Sequence, residues 1–301
     1  GQFWPLCEFW VDEVKPLRQV VDDFMQPTLA EALDRKANSV QLEKDLESMS
    51  LLDCLVESTD DKIVQDELVN LLAAGRDLVS TLLTFAVYMM CEHPDMAAHL
   101  RSEIIEQVGS QRPSAKDIRE MKYMRAFLDE TLQLYPLVLI LITSLSKAAT
   151  ILLKKGHAPY YVPSNTEVLF STFLIHCRTD LWGPDALEFD PDRFLDSCLK
   201  KYLTPNPYIF IPFNAGPRIC LGQQFTYNEA SYFLVRLLQL FSSFTLALDS
   251  QPEEGILPKT WTRIPGTTKG RDKIMLGTHV LLYAKVWGLW VRMEEAKDKV
   301  M

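Results

Sequence analysis

No excess of basic residues marks this chain as a nucleic-acid binder. Lys and Arg number 31 against 40 Asp and Glu in 301 residues, a formal net charge of -9, where a nucleic-acid surface needs a basic footprint. The six cysteines, Cys7, Cys54, Cys91, Cys177, Cys198 and Cys220, are scattered and form no Cys-x-x-Cys pair. That pattern argues against a structural zinc site and a disulfide scaffold and points to a reduced, intracellular location. No apolar run reaches the roughly 20 residues of a membrane-spanning helix: Leu78 to Cys91 is too short and Leu137 to Leu153 is interrupted by Lys147. Signal peptide, internal repeat, low-complexity tract and Gly-, Pro- or Ser-rich linker are all missing. The histidines form no metal constellation, since His93 and His99 do not share a helix face. What is present is 48% hydrophobic and 24% charged, which fits a globular core and not a disordered chain. Gly1 stands where a methionine would open a complete chain, followed by an amphipathic stretch with Trp4, Phe9 and Trp10. A piece of a longer protein is expected.

The first half reads as helices. Residues 8–35 place Phe9, Val14, Leu17, Val21, Phe24 and Leu29 at roughly helical spacing, with Pro16 and Pro27 expected to break the run. Leu42, Leu46, Leu51 and Leu55 predict a helix over 40–57. Ser58-Thr59-Asp60-Asp61 supplies a capping hydroxyl and first-turn acids. A long helix is predicted from Asp61 to Cys91, then one from Pro94 to Gly109, a short one capped by Ser114 with Asp117, and one from Met124 to Tyr135. From Leu137 to Thr172, β-branched and aromatic residues alternate with turn residues and predict short strands. Residues 183–218 hold six prolines and little periodicity, an irregular stretch of a length usually kept for function. A helix over Gln223 to Leu240 and strands around 244–248 and 280–292 complete a mainly α chain with a small β portion, an α+β class.

The chemistry concentrates in Phe213-Asn214-Ala215-Gly216-Pro217-Arg218-Ile219-Cys220-Leu221-Gly222. A cysteine lies in a glycine-flanked loop just before a helix N-terminus, where the helix dipole and free N–H groups favour a thiolate. The glycines let the backbone turn tightly and approach a flat object. Phe213 can shield the sulfur and Arg218 can pair with a carboxylate. Together these describe a haem held through an axial cysteine.

Phe213-x-x-Gly216-x-Arg218-x-Cys220-x-Gly222 resembles the haem-binding signature of the cytochrome P-450 family at every fixed position. Ala74-Gly75-Arg76-Asp77, Glu130-Thr131-Leu132 before Tyr135-Pro136, Trp182-Gly183-Pro184-Asp185-Ala186 and Phe189-Asp190-Pro191-Asp192-Arg193-Phe194 follow in the family's order. The wording resembles fungal members that hydroxylate alkanes, fatty acids or other apolar compounds. The resemblance implies a partial haem-binding domain over 1–301, matching the C-terminal three fifths of a member, with the N-terminal anchor and early helices and strands absent. It implies haem b with Cys220 as iron ligand and Ala74, Gly75, Phe213, Gly216, Arg218 and Gly222 around the cofactor. It assigns proton relay to Asp77. It further implies an apolar organic substrate, O2 and an electron-donating reductase. Full-length relatives are expected on the endoplasmic reticulum membrane facing the cytosol, through an anchor this chain does not carry.

Three positions depart from that pattern. Leu78 and Val79 follow Asp77 where the family usually has threonine, so no hydroxyl sits there to relay a proton. Gln133 replaces the arginine of Glu-x-x-Arg, leaving Glu130 to Arg193 alone. Leu139-Ile140-Leu141-Ile142-Thr143 carries no basic residue, with Lys147 the nearest substitute. Two functions are therefore expected in competition: a haem-thiolate monooxygenase or a fragment of one, and a catalytically inactive haem-binding remnant or unstable fragment. Among the other residues, His176 beside Arg178 and Asp180 reads as structural, and Cys177 and Cys198 as free thiols. Phe85, Tyr88, Met89 and Met90 read as core packing, with pocket lining as the alternative. Lys200, Lys201 and Arg218 read as a solvated charge run, with reductase docking as the alternative.

Overall fold

The computed structural model describes residues 14–38, 50–58, 60–144, 150–153, 156–258, 260–264, 267–268, 270–285 and 288–297. These group into two compact units, residues 1–76 and 77–301. Cys7, Trp4, Phe9, Trp10, Leu42, Leu46, Thr59 and Lys147 lie outside the described residues.

The first unit holds α1 (Val14–Asn38), α2 (Leu51–Ser58) and the start of α3 (Asp61–Glu92). Neither proline breaks α1, contrary to the sequence expectation. Pro16 falls in the first turn, where its missing N–H has no intrahelical partner to lose. Pro27 sits inside the helix, yet Met25, Leu29 and Ala32 bury a stripe with Val56, Val64 and Leu68. At about 1.5–3 kcal/mol for each large apolar side chain buried, that stripe outweighs one broken hydrogen bond. Exposed ion pairs, Arg18 to Asp22 and Asp66 and Arg35 to Asp53, line the same unit.

The second unit is built on the remainder of α3, with α4 (Pro94–Val108), α5 (Ala115–Glu120), α6 (Lys122–Leu134) and α10 (Gln223–Leu240). Leu82, Phe85 and Met90 of α3, Leu100 and Ile104 of α4, Phe127 and Leu128 of α6 and Leu234 of α10 share one core. Phe85, Tyr88, Met89 and Met90 are all buried in it, as the packing reading expected. At 32 residues, α3 is also long and apolar enough to cross a membrane by length and composition. This corrects the reading of Leu78 to Cys91 as too short: the helix extends well ahead of that run. Its stretch from Leu82 to Met90 packs into the core. α4 ends at Gly109, whose φ of 56° is open to glycine without penalty. Gln239 then ties that end to α10 by donating to the Gly109 and Gln111 carbonyls at 2.7 and 2.9 Å. Ser114 and Asp117 form the expected reciprocal capping box at the start of α5.

Between α6 and α10 lie β1 (Ile140–Ser144), β2 (Thr150–Leu152), β3 (Tyr160–Val162), β4 (Glu167–Ser171), and the short helices α7 (Thr172–His176), α8 (Thr179–Trp182) and α9 (Asp196–Tyr202). β1 pairs antiparallel with β4, Ile140 opposite Ser171, and β2 with β3. After α10 come β5 (Phe241–Leu246), β6 (Leu276–Thr278), β7 (Leu282–Ala284) and β8 (Val291–Glu295). β5 pairs with β8 and β6 with β7. The proline-rich stretch is punctuated by single 3-10 turns at Pro191–Phe194, Pro207–Ile209 and Gly216–Arg218. The result is the mainly helical α+β class read from the sequence.

Candidate active site around Cys220

The loop from Phe213 to Gly222 braces itself. The Cys220 N–H donates to the Phe213 carbonyl at 2.9 Å, and the Ile219 N–H to the Gly216 carbonyl at 3.1 Å. Asn214 adopts φ 67°, a left-handed conformation that asparagine tolerates better than most residues. Its Oδ1 accepts from the Ala215 N–H and its Nδ2 donates to the Arg218 carbonyl. Gly216 turns the chain at φ 73°, with open space where a Cβ would sit. α10 starts immediately after, with Gly222 as its N-cap and Thr226 returning both its N–H and its hydroxyl to the Gly222 carbonyl.

Cys220 is half-buried and carries a free thiol. A Cβ at Gly222 would lie 3.8 Å from Sγ, so glycine keeps that side of the sulfur clear. Flanking it, Ile219 and Leu221 expose apolar side chains, Leu221 at 88%. The Arg218 guanidinium is exposed and makes no ion pair among the described residues. Phe213 is buried beneath the loop against Tyr227, ring centroids 5.3 Å apart. A free sulfur, an apolar rim, an unpaired guanidinium and room for close approach fit a flat, largely apolar cofactor with anionic edge groups.

Beneath Phe213 lies an arrangement the sequence reading did not find. The Tyr227 hydroxyl donates to Asp129, Arg125 pairs with Asp129 at 3.0 Å, and the same guanidinium stacks on the Tyr227 ring at 3.4 Å. Burial raises the Asp129 carboxyl, with Arg125 pulling it back. The Arg125–Asp129 spacing on α6 was a legible i,i+4 signal. Its link to Tyr227 on another helix was not.

The remaining candidates lie on α3 and around α6. Ala74 is exposed and Gly75 half-buried, both in the first unit; Asp77 is half-buried at the start of the second. After Asp77, Leu78 packs against the core and Val79 is buried. Ser80 is exposed and returns its hydroxyl to the Asp77 carbonyl at 3.0 Å. The structure thus joins Phe213, Gly216, Arg218, Cys220 and Gly222 in one loop and leaves Ala74, Gly75 and Asp77 on α3.

Glu130 and Arg193 keep their pair: Arg193 Nε lies 3.4 Å from Glu130 Oε2, both side chains fully buried. The Asp190 N–H donates to Glu130 Oε1 at 3.1 Å. Burial pushes the Glu130 carboxyl up to about 8, against the pull of Arg193. Gln133 turns its amide to the His176 and Ala186 carbonyls at 3.3 and 3.4 Å, and its Oε1 has no partner. His176 is structural, as expected: its Nε2 accepts from the Ile211 N–H at 3.0 Å, and burial holds the imidazole down at about 4. Cys177 and Cys198 are free thiols, and burial pushes Cys177 up to about 11. His93 stacks on Phe189 and His99 on Tyr123. Among the described residues no three His, Cys, Asp or Glu could jointly hold a metal ion.

The sequence model of the cytochrome P450 family matches residues 2–266. The chain belongs to the cytochrome P450 family. Proteins of this family bind haem through a cysteine thiolate. Cytochrome P450 monooxygenase himC of Aspergillus japonicus is 40% identical over 194 residues, 63% of this chain and 34% of the relative. A cytochrome P450 of Arthroderma benhamiae is 30% identical over 292 residues, 94% of this chain and 54% of its own length. Cytochrome P450 52E1 of Candida apicola is 35% identical over 219 residues, 69% and 41% respectively. This P450 chain therefore spans from a third to about half of the length of these curated relatives.

Proposed function

We propose that this P450 chain is the iron-holding part of a haem-thiolate monooxygenase, one partial domain that acts on an apolar organic substrate. The observation that carries the reading is Cys220: a free, half-buried sulfur in a self-braced loop, kept clear by Gly222 and rimmed by exposed Ile219 and Leu221. In this reading Cys220 ligates the iron and Arg218 pairs with a propionate. Phe213 seals the inner side of the loop, and the positive φ of Gly216 sets its turn. In the same reading Ala74 and Gly75 would border the cofactor and Asp77 would move protons. When bound, haem supplies the activation of O2, which with two electrons and two protons inserts one oxygen atom into a C–H bond and releases the other as water. A reductase supplies the electrons, and the exposed Lys200 and Lys201 near the loop in sequence offer it a basic surface. An intracellular setting keeps the thiol reduced.

Two observations favour a second reading, a haem-binding remnant without turnover. Leu78 packs its side chain into the core where a hydroxyl would serve Asp77, and Gln133 leaves a buried oxygen unpaired beside Glu130. One experiment separates the two. The full chain is titrated with haemin, then supplied with a reductase, 18O2 and a panel of alkanes and fatty acids. Stoichiometric haem uptake with labelled alcohol supports the monooxygenase. Uptake without product supports the remnant. A folded chain that takes up no haem contradicts both.

A further inference from the structure

Arg271 is an unusual buried cation. Its side chain is only 9% exposed, yet among the described residues its three guanidinium nitrogens meet no acceptor at good hydrogen-bond geometry. The Tyr135 ring lies under it at 4.9 Å, and Asp272 Oδ1 is 3.5 Å from Nε. That carboxylate is already engaged by the Tyr135 hydroxyl. A buried charged group whose donors are unmet carries its full desolvation penalty, so a guanidinium in this state is poised for an acceptor.

Arg271 opens onto a cavity of about 430 Å³, within the usual size range for small-molecule sites. Phe173, Leu257, Trp261, Ile274 and Leu276 supply apolar walls, and Thr268 adds a hydroxyl. The chain crossing at Gly270 builds this corner: a Cβ there would meet the Thr262 and Arg263 backbone at 2.5–2.6 Å. Only backbone fits between them, which brings Trp261 and Arg271 to the same space. A smaller cavity that Arg271 also borders is lined by Glu92, Glu188 and Asp272 as well as Arg263, and there Glu188 is already paired with Arg263 and Glu92 with Lys273. Among the described residues that line the larger one, Asp272 is the sole acid.

We propose that this cavity is a binding site for an organic monocarboxylate with an apolar body, its carboxylate received by the Arg271 guanidinium and its body held by Trp261, Phe173 and Leu276. The planar fork of arginine matches a carboxylate in two parallel bonds. The apolar walls favour a ligand with a hydrocarbon body over a hydrated inorganic anion. A single negative charge is tolerated beside Asp272 better than a dianion. None of the residues lining the cavity belongs to the 213–222 loop, so the proposal stands apart from the reading of Cys220.

The test is calorimetric titration of the full 301-residue chain with 2-naphthoate. Saturable binding is expected. It should weaken at least tenfold in Arg271→Gln and by less in Arg271→Lys, which keeps charge but loses the fork. The neutral analogue 2-naphthalenemethanol should bind at least tenfold more weakly than 2-naphthoate. Thr268→Asp, a change at a half-buried polar wall position, should abolish naphthoate binding and spare the alcohol. It decides the matter should Arg271→Gln lose its native circular dichroism. Unchanged affinity in a folded Arg271→Gln or Thr268→Asp chain overturns the proposal, as does equal affinity for the alcohol or an absence of saturable binding. Inorganic phosphate binding as tightly as 2-naphthoate overturns the assignment to an organic carboxylate.

Discussion

Replacing Glu130 by glutamine should change the pH dependence of folding in a way fixed by its surroundings. Burial pushes the folded Glu130 carboxyl from 4.5 to about 8, with Arg193 the main opposing influence. Between those values the unfolded chain carries an ionised Glu130 and the folded chain a protonated one. Folding takes up a proton, so stability falls as pH rises through the window. At about 1.4 kcal/mol per pH unit, the window amounts to about 5 kcal/mol. His176 acts in the opposite sense. Burial pushes its imidazole from 6.5 to about 4, so over that range the unfolded chain binds a proton that the folded chain refuses, and stability rises with pH by about 3 kcal/mol. The two slopes cancel from about pH 4.5 to 6.5, and a net loss of about 2 kcal/mol follows between pH 6.5 and 8. Urea denaturation of wild type and Glu130→Gln from pH 4 to 9 isolates the carboxyl, because His176 and all other groups contribute to both. The wild-type minus variant difference should fall steadily from pH 4.5 to 8 and level off above. A flat difference, or one that rises with pH, would refute the assignment of a burial-dominated carboxyl at Glu130.

Three further predictions follow from the loop, the caps and α3. Gly216→Ala forces a side chain into φ 73° and should cost about 1–2 kcal/mol in urea denaturation, whereas Gly222→Ala, with its new Cβ in ordinary contact with Sγ at 3.8 Å, should cost under about 0.5 kcal/mol; equal costs would contradict the loop geometry. Ser114→Ala removes one half of the capping box on α5 and should cost about 1 kcal/mol; a neutral substitution would show that α5 is held by other contacts. Leu78→Thr should lose about 1–2 kcal/mol of stability through lost core contact while raising product formed per electron consumed if the haem-loaded protein turns over; unchanged coupling would show that Asp77 and solvent suffice.

Most features with a local determinant were legible in the sequence, Pro16 in the first turn of α1 being an exception. The α10 boundaries at Gln223–Leu240 follow from an apolar stripe that starts after Gly222. The α4 stop follows from Gly109, and the α5 start from Ser114 with Asp117. The Cys220 loop was legible because its residue types and spacing are themselves the chemistry. Features that depend on distant partners were not. α1 runs through Pro27 because of contacts with Val56, Val64 and Leu68, which periodicity within the helix does not reveal. β5 pairs with β8 across a long intervening segment. Tyr227 and Asp129 meet from separate helices. Gln133 was visible as a substitution, but only its backbone partners, the His176 and Ala186 carbonyls, show how the site accommodates it. The buried setting of the Arg271 guanidinium depends on a fold-back at Gly270 and left no sequence mark.

The account rests on sulfur ligation by Cys220, and the reduced carbon monoxide spectrum of the haem-loaded chain tests it most directly. Wild type should give the long-wavelength band of a thiolate-bound haem, and Cys220→Ser should take up less haem and lose that band. The same band in Cys220→Ser, or a wild-type spectrum of a nitrogen-ligated haem, would contradict the central claim.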